Sequence, residues 1–224
     1  LSENVLVLKD VGFSYRLTHK SFSPPVLKQI NLRVQRGEVL VLVGPSGAGK
    51  SSLLRLLNRL EDPTEGEIRF DGVLLSDRVP QEMRREVALL LQEPFLIEGT
   101  VRENLNLPFE GERGEQDRLP AMEASLDAVG LSGDFLSRLA RELSVGERQR
   151  VCIARILMTS PRVMLLDEPT SALDGENRHI LAQTIRRINR DRSMTFVVVT
   201  HSRNFAEELS GRIVQIRRGE IPGS

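Results

Sequence analysis

The sequence predicts an α/β fold: a mostly parallel sheet covered on both faces, an antiparallel β flank, and an inserted α-helical segment. Three observations carry this. Short apolar runs such as "VLVLV" (39–43), "VMLLD" (163–167) and "TFVVVT" (195–200) alternate with stretches of helical period. Strands buried on both faces read as continuous apolar runs, and helices between them imply parallel pairing. After Gln92 the pattern changes, and helical periods replace strand signals until about residue 158. The chain also opens on two strand-like stretches, "NVLVLKDVGFSY" and "INLRVQ", which are assigned to the antiparallel flank.

The elements follow in order. "RLTHKSFSPPV", between the first two strands, is rich in turn formers and reads as a loop. "GEVLVLVG" is a buried strand bounded by glycines, and "KSSLLRLLNRL" is the helix after it. "GEIRFDGVLL" reads as a strand pair turning at Asp71-Gly72, and "EVALLLQ" as another buried strand. "TVRENLNL" starts with a Thr-x-x-Glu capping box. "GERGEQDR" reads as a loop, and "RLPAMEASLDAVGL" and "GDFLSRLARELS" as short helices. A longer helix runs from Ser144 to about Met158, with Glu147 spaced to bond back to the cap. The strands return after Pro161, separated by "ENRHILAQTIRRINRD", and "GRIVQIRRGEI" closes as a strand pair.

Composition narrows the class. The 224 residues are 40% hydrophobic and 28% charged, which is ordinary for a soluble globular domain. Lys plus Arg equals Asp plus Glu at 31 each, so nothing global attracts nucleic acid or anionic lipid. Cys152 is the only cysteine and reads as a small buried thiol. The unbroken apolar runs reach five residues, whereas a membrane span needs about 20. No signal peptide is visible, and the expected location is the cytosol.

"GPSGAGKS", Gly44 to Ser51, matches the P-loop pattern G-x-x-x-x-G-K-[ST], with a strand before it and a helix after it. The run Gly44, Pro45, Ser46, Gly47, Ala48, Gly49 turns backbone N–H groups towards phosphate oxygens. Lys50 is placed to reach the β- and γ-phosphates, Ser51 to help bind Mg²⁺, and Ser52 continues the nucleotide-binding run. "VMLLDE" brings Asp167 and Glu168 to the carboxyl end of a buried strand, where open α/β sheets bind ligands. Side chains alternate along a strand, so the two acids take different jobs: Asp167 for Mg²⁺, Glu168 for polarising the attacking water. Ser144 begins a second helix suited to phosphate. By themselves, Gln92 is a polar strand end, His201 a helix-cap neighbour and Tyr15 an edge-strand aromatic.

With these motifs in order, the chain resembles the nucleotide-binding subunit of an ATP-binding cassette (ABC) transporter over nearly its whole length. Gln92 falls at the family's Q-loop, "LSVGE" at the signature LSGGQ, "LLDEP" and then "SALD" (171–174) at the D-loop, and His201 after "VVVT" at the H-loop. The resemblance implies one P-loop NTPase (RecA-like) ATPase domain over 1–224. Its core and β flank are 1–92 and 160–224, and its α-helical signature subdomain is 93–159. It implies ATP and Mg²⁺ as cofactors, Gln92 touching the Mg²⁺, and His201 holding Glu168 and the water against the γ-phosphate. It implies that Tyr15 stacks on adenine and that Asp174 belongs to the nucleotide interface. It also implies a homodimer closed head to tail, in which Ser144 and the Gly146 backbone of one subunit face ATP on the P-loop of the other. A separate transmembrane permease subunit would hold the chain at the inner face of the membrane, with Pro94, Phe95 and Leu96 lining its groove.

Val145 replaces the signature's middle glycine and Glu147 its glutamine. A valine still supplies its N–H, and the capping-box pose turns Glu147 away from phosphate. The expectation is therefore an active ATPase. "LLLQEPFLIEGTVRENL" resembles the exporter segment after the Q-loop, although the exporters' "VGERG" before the signature is replaced by "SRLARELS". This mixture resembles stand-alone bacterial ATPases proposed for iron or other metal export, and their plant relatives in aluminium tolerance. The alternative is a non-transport ABC ATPase acting on DNA or ribosomes. The short spacing of P-loop and signature, the single cassette and the balanced charge speak against it.

Overall fold

The computed structural model describes residues 3–18, 21–93, 95–111, 114 and 116–222, so Pro94 lies outside the described residues. Strand β1 (Asn4–Phe13) leads into a small hairpin, β2 (Arg16–Thr18) and β3 (Ser21–Phe22), and then β4 (Leu27–Gln35). The hairpin occupies the stretch expected to be a loop. Turn formers hide it in the sequence, but Ser23 N–H donates to the Tyr15 carbonyl at 2.8 Å and Tyr15 N–H to Ser23 Oγ at 3.0 Å, closing its base. Next come β5 (Val39–Val43), α1 (Lys50–Leu57), and β6 (Glu65–Phe70) with β7 (Val73–Leu74). The turn between the last two holds Asp71 at φ 53° and Gly72 at φ 80°. That is the primed turn that an Asp-Gly pair favours, because both central residues need positive φ. Strands β4-β1-β6-β7 form the antiparallel flank.

The polar helix α2 (Pro80–Glu86) was not expected from the sequence; it precedes β8 (Val87–Leu90). The helical segment holds α3 (Val101–Asn106), α4 (Leu119–Ala128) and α5 (Val145–Leu157). "GDFLSRLARELS" is two 3₁₀ turns, Gly133–Ser137 and Ala140–Glu142, rather than an α-helix. Leu139 bridges to Thr100 between them, and Ala140 N–H donates to the Gly99 carbonyl at 2.8 Å, so the backbone is spent on a neighbour and not on a helical turn. Strand β9 (Val163–Asp167), α6 (Gly175–Arg192), β10 (Thr195–Thr200), a short α7 (Arg203–Glu208) and β11 (Arg212–Gln215) complete the chain.

The second sheet, β11-β5-β10-β9-β8, is parallel throughout. Alternate residues of its strands enter different cores, as the period of two requires. Val41, Met164, Leu166, Phe196 and Val198 pack with the helical segment and α6. Leu40, Leu42, Leu165, Val197 and Val199 pack with α1 and the antiparallel flank. A sheet clamped on both faces presents only its strand ends. Because the strands are parallel, the chain after β5, β8, β9 and β10 emerges at one end, beside α1.

Candidate active site

The loop 44–49 connects β5 to α1. Gly49, at φ 97°, is the N-cap of α1. A Cβ there would lie 2.6 Å from Leu27 Cδ2 and 2.9 Å from the Val26 carbonyl, so only glycine lets the loop turn this close to β4. Lys50 is buried, and its ammonium donates to the carbonyls of Gly44 and Pro45, each at 2.9 Å. The loop thus curls around its own lysine and leaves the first amides of α1 at its mouth, the arrangement that binds phosphate.

The two acids do separate. Ser51 Oγ donates to Asp167 Oδ1 at 2.9 Å. Asp167 is buried, and burial pushes its carboxyl pKa up, while the Ser51 bond pulls the other way. Glu168 has already left the strand: its φ is 45°, a left-handed turn that no strand alternation explains. Its Oε2 lies 2.8 Å from His201 Nδ1 and accepts the His201 N–H at 3.2 Å. The Glu168 side chain is 13% exposed and that of His201 68%, so a sheltered carboxylate meets an open imidazole.

A cavity of about 610 Å³ collects Tyr15, Ser46, Gly47, Gly49, Lys50, Ser51, Ser52, Gln92, Glu168 and His201. Val26 also lines it, and nothing in the sequence marked that residue. The double proline before it looks like linker, whereas the folded hairpin returns Val26 to the loop, its N–H on the Phe13 carbonyl at 2.8 Å. Tyr15 is half-buried, edge-on to Phe13 with centroids 4.8 Å apart, and its hydroxyl lies 2.8 Å from Ser52 Oγ.

Of the expected residues, Gly44, Pro45, Ala48 and Asp167 do not line this cavity, and neither do Ser144, Gly146 and Asp174, which stand at the starts of α5 and α6. Ser144 caps α5: its Oγ accepts the Glu147 N–H at 3.3 Å, and Glu147 Oε2 accepts the Ser144 N–H at 2.8 Å. The second bond, with the field of Arg138 and Arg150, holds the Glu147 carboxyl below its usual pKa. Val145 is exposed. The start of α5 lies against the start of α6, and a Cβ on Gly146 would run into the Asn177 side chain and push it aside. Asp174 caps α6, accepting the Asn177 N–H at 2.8 Å, and that bond lowers its pKa.

A glycine-lined loop at the carboxyl end of a parallel sheet, with a buried lysine and an acid–histidine pair beside it, defines a P-loop nucleotide hydrolase. Residues 27–171 match the ABC transporter family, and the chain belongs to that family as an ATP-binding, ATP-hydrolysing subunit of a transporter. It is 39% identical over 214 residues to the glutamine transport ATP-binding protein GlnQ of Escherichia coli strain K12, covering 92% of this chain and 88% of GlnQ. It is 35% identical to the methionine import ATP-binding protein MetN of Latilactobacillus sakei, covering 97% of this chain and 64% of MetN. A dimeric, post-hydrolysis structure of the ATP-binding cassette MJ0796 with ADP and Pi superposes with a TM-score of 0.82 at 32% identity, covering 97% of this chain and 96% of that one.

Proposed function

We propose that two copies of this chain close head to tail and power a separate transmembrane subunit. Each ATP would lie between the loop 44–52 of one copy and Ser144 and Gly146 of the other. The observation that carries this is the placement of Ser144 and Gly146 outside the cavity that holds Lys50. The dimeric MJ0796 structure supports it. One chain then has two phosphate-seeking helix starts because a two-fold pair builds two equivalent sites.

Within that site, Lys50 and the loop amides hold the phosphates and Tyr15 takes the adenine. Ser51, Gln92 and Asp167 fit magnesium: they offer oxygen donors, and Ser51 Oγ already sits on the buried Asp167 carboxylate. The ion would supply charge neutralisation on the phosphates. Glu168 polarises the attacking water, His201 fixes the Glu168 carboxylate, and Asp174 acts at the dimer interface. This reading treats 1–224 as one ATPase domain, with 93–159 as a helical signature subdomain on the core 1–92 and 160–224.

For the transmembrane partner, the supporting feature is a groove of about 580 Å³ lined by residues 95–99, 139–141 and Arg148, in which Phe95 is 70% exposed. The chain would sit on the inner face of the membrane through that partner; among the described residues no helix is long and apolar enough to cross a membrane. The segment 92–105, like that of exporters, supports export, with metal ions, iron first, as the cargo class. Metal accumulation in cells lacking the chain tests this part, and unchanged content refutes it.

Mixing tests the two-chain site. Lys50→Ala and Ser144→Arg homodimers should each be nearly inactive. In the mixed dimer both lesions fall in one composite site and the other stays intact, so up to about half of the wild-type activity returns by site counting. Where both sites must fire together, trapped nucleotide decides: ATP should sit on the Ser144→Arg copy, whose own P-loop is intact and faces an intact Ser144. ATP trapped only on the Lys50→Ala copy, or normal hydrolysis by the Ser144→Arg homodimer, refutes the arrangement.

A further inference from the structure

Phe95 faces two ways. Its side chain stands open in the groove, while its carbonyl points into the protein, onto α5. There the carbonyl accepts a hydrogen bond from Arg155 Nη2 at 2.7 Å, with Cys152 Sγ 3.6 Å away. Arg155 is half-buried, and its buried Nη1 has no hydrogen-bond partner among the described residues. Residues 95–98 belong to no helix or strand. Two residues further on, the buried Asn104 of α3 holds Ile97 from both sides, donating to its carbonyl at 3.1 Å and accepting its N–H at 2.9 Å. Phe95 is therefore tied to α5, and Ile97 to α3.

We propose that Arg155 is a positioning residue: it clasps the Phe95 carbonyl, so that the segment after Gln92 and helix α5 move as one piece. A helix rises about 1.5 Å per residue, so Arg155 stands about 15 Å along α5 from Val145. A displacement at Phe95 reaches the capped end at Ser144 through a continuous rod. The clasp deepens the proposed two-chain site, because it matters to hydrolysis only where Ser144 covers nucleotide on a second copy.

Cys152 is a built-in reporter. It is the only cysteine of the chain, wholly buried, and lies beside the clasped carbonyl. Burial pushes its thiol pKa up to about 11, so at pH 8 the wild-type thiol is scarcely ionised and is shielded. The experiment is maleimide labelling of Cys152 in the full chain at pH 8, with and without sub-denaturing urea, beside steady-state ATPase kinetics. Arg155→Ala should label at least about tenfold faster than wild type, the factor expected for losing a hydrogen bond from a charged donor. Arg155→Lys, which still has a donor, should fall between them. The excess rate should not vary with urea, as for a local opening. In Arg155→Ala, kcat should fall about tenfold while KM for ATP stays within about twofold, because Arg155 does not line the nucleotide cavity and bonds to Phe95 and Cys152 instead. Wild-type labelling in both variants, an excess that climbs with urea as global unfolding does, or fast labelling with unchanged kcat each overturns the clasp. If Arg155→Ala fails to fold, Arg155→Lys decides on the same criteria. Ser144→Arg should label at the wild-type rate, so normal hydrolysis by that variant would count against the two-chain site and leave the clasp's labelling result standing.

Discussion

The loop 44–51 and the turn before α5 both end at helix N-termini, yet they are built in opposite ways. The first is concave and closed on itself, with Lys50 buried and bonded to the carbonyls of its own loop. The second is convex: Val145 is exposed, and the Ser144–Glu147 capping box already satisfies two of the end groups. A cradle encloses its ligand, whereas a capped, outward-facing helix end can only cover one held elsewhere. The difference is the physical reason for assigning them to the two sides of one nucleotide.

The largest effect should come from breaking the chemistry beside the cradle. Glu168→Gln keeps the shape and the contact with His201 but loses the charge that, in the proposed function, polarises water. ATP binding should persist while turnover falls by about 10²–10⁴. Single-turnover hydrolysis at the wild-type rate would remove Glu168 from the role. Next in size, Tyr15→Ala removes an aromatic face and its hydroxyl contact with Ser52. Loss of the proposed adenine stacking is worth about 1–3 kcal/mol, so ATP affinity should fall about tenfold to a hundredfold with kcat at saturation little changed. An unaltered affinity by titration would place the adenine elsewhere.

The cradle was also the more legible region. Its loop lies in one stretch of sequence, between a strand and a helix that their apolar periods reveal. The capping box at Ser144 was legible for the same reason, since both partners lie within four residues. What stayed hidden depends on distant segments. The Ser51–Asp167 bond spans 116 residues, and the P-loop and strand-end motifs joined the two only through a shared magnesium ion; the Glu168–His201 contact spans 33, and only the resemblance to a family brought that pair together. The left-handed turn at Glu168 has no local signature, since no glycine or asparagine marks it. Helix α2 buries only Met83, so it has no apolar stripe to read. The clasp between Arg155 and Phe95 joins an exposed side chain's backbone to an arginine on an amphipathic helix, a contact that neither pattern nor motif encodes.

A smaller effect separates function from stability in the cradle. Asp167 is a buried carboxylate whose pKa burial raises, so the charged form is held at a cost while no cation is present. In Asp167→Asn the amide oxygen can still accept from Ser51 Oγ, and the charge is gone. In chelator and without nucleotide, the variant's Tm should rise by about 2–4 °C, the shift for roughly 1 kcal/mol in a chain of this size. Magnesium-dependent hydrolysis should collapse in the same protein. A lowered Tm would mean that the charge supports the empty cradle, and the contrast with the self-satisfied turn at α5 would weaken.

The smallest effect belongs to the capped turn. Glu147 has its folded pKa depressed, first by the Ser144 N–H bond. A depressed carboxylate contributes stability that is full above its unfolded pKa, near 4.5, and that is lost as pH falls through the lower folded value. Glu147→Gln keeps an acceptor for the capping box and removes only the charge. Above pH 4.5 the wild type should be more stable by about 0.3–1 kcal/mol, the worth of a carboxylate at a helix start. That margin should shrink as acid titrates Glu147, and denaturant midpoints measured down the pH series read it directly. Hydrolysis should stay within about twofold of wild type at neutral pH, because the carboxylate is turned back to its own helix end. A large gain in ATPase from Glu147→Gln would show instead that the carboxylate faces the triphosphate and repels it, and the turn would then be an active part of the nucleotide site and not a capped cover.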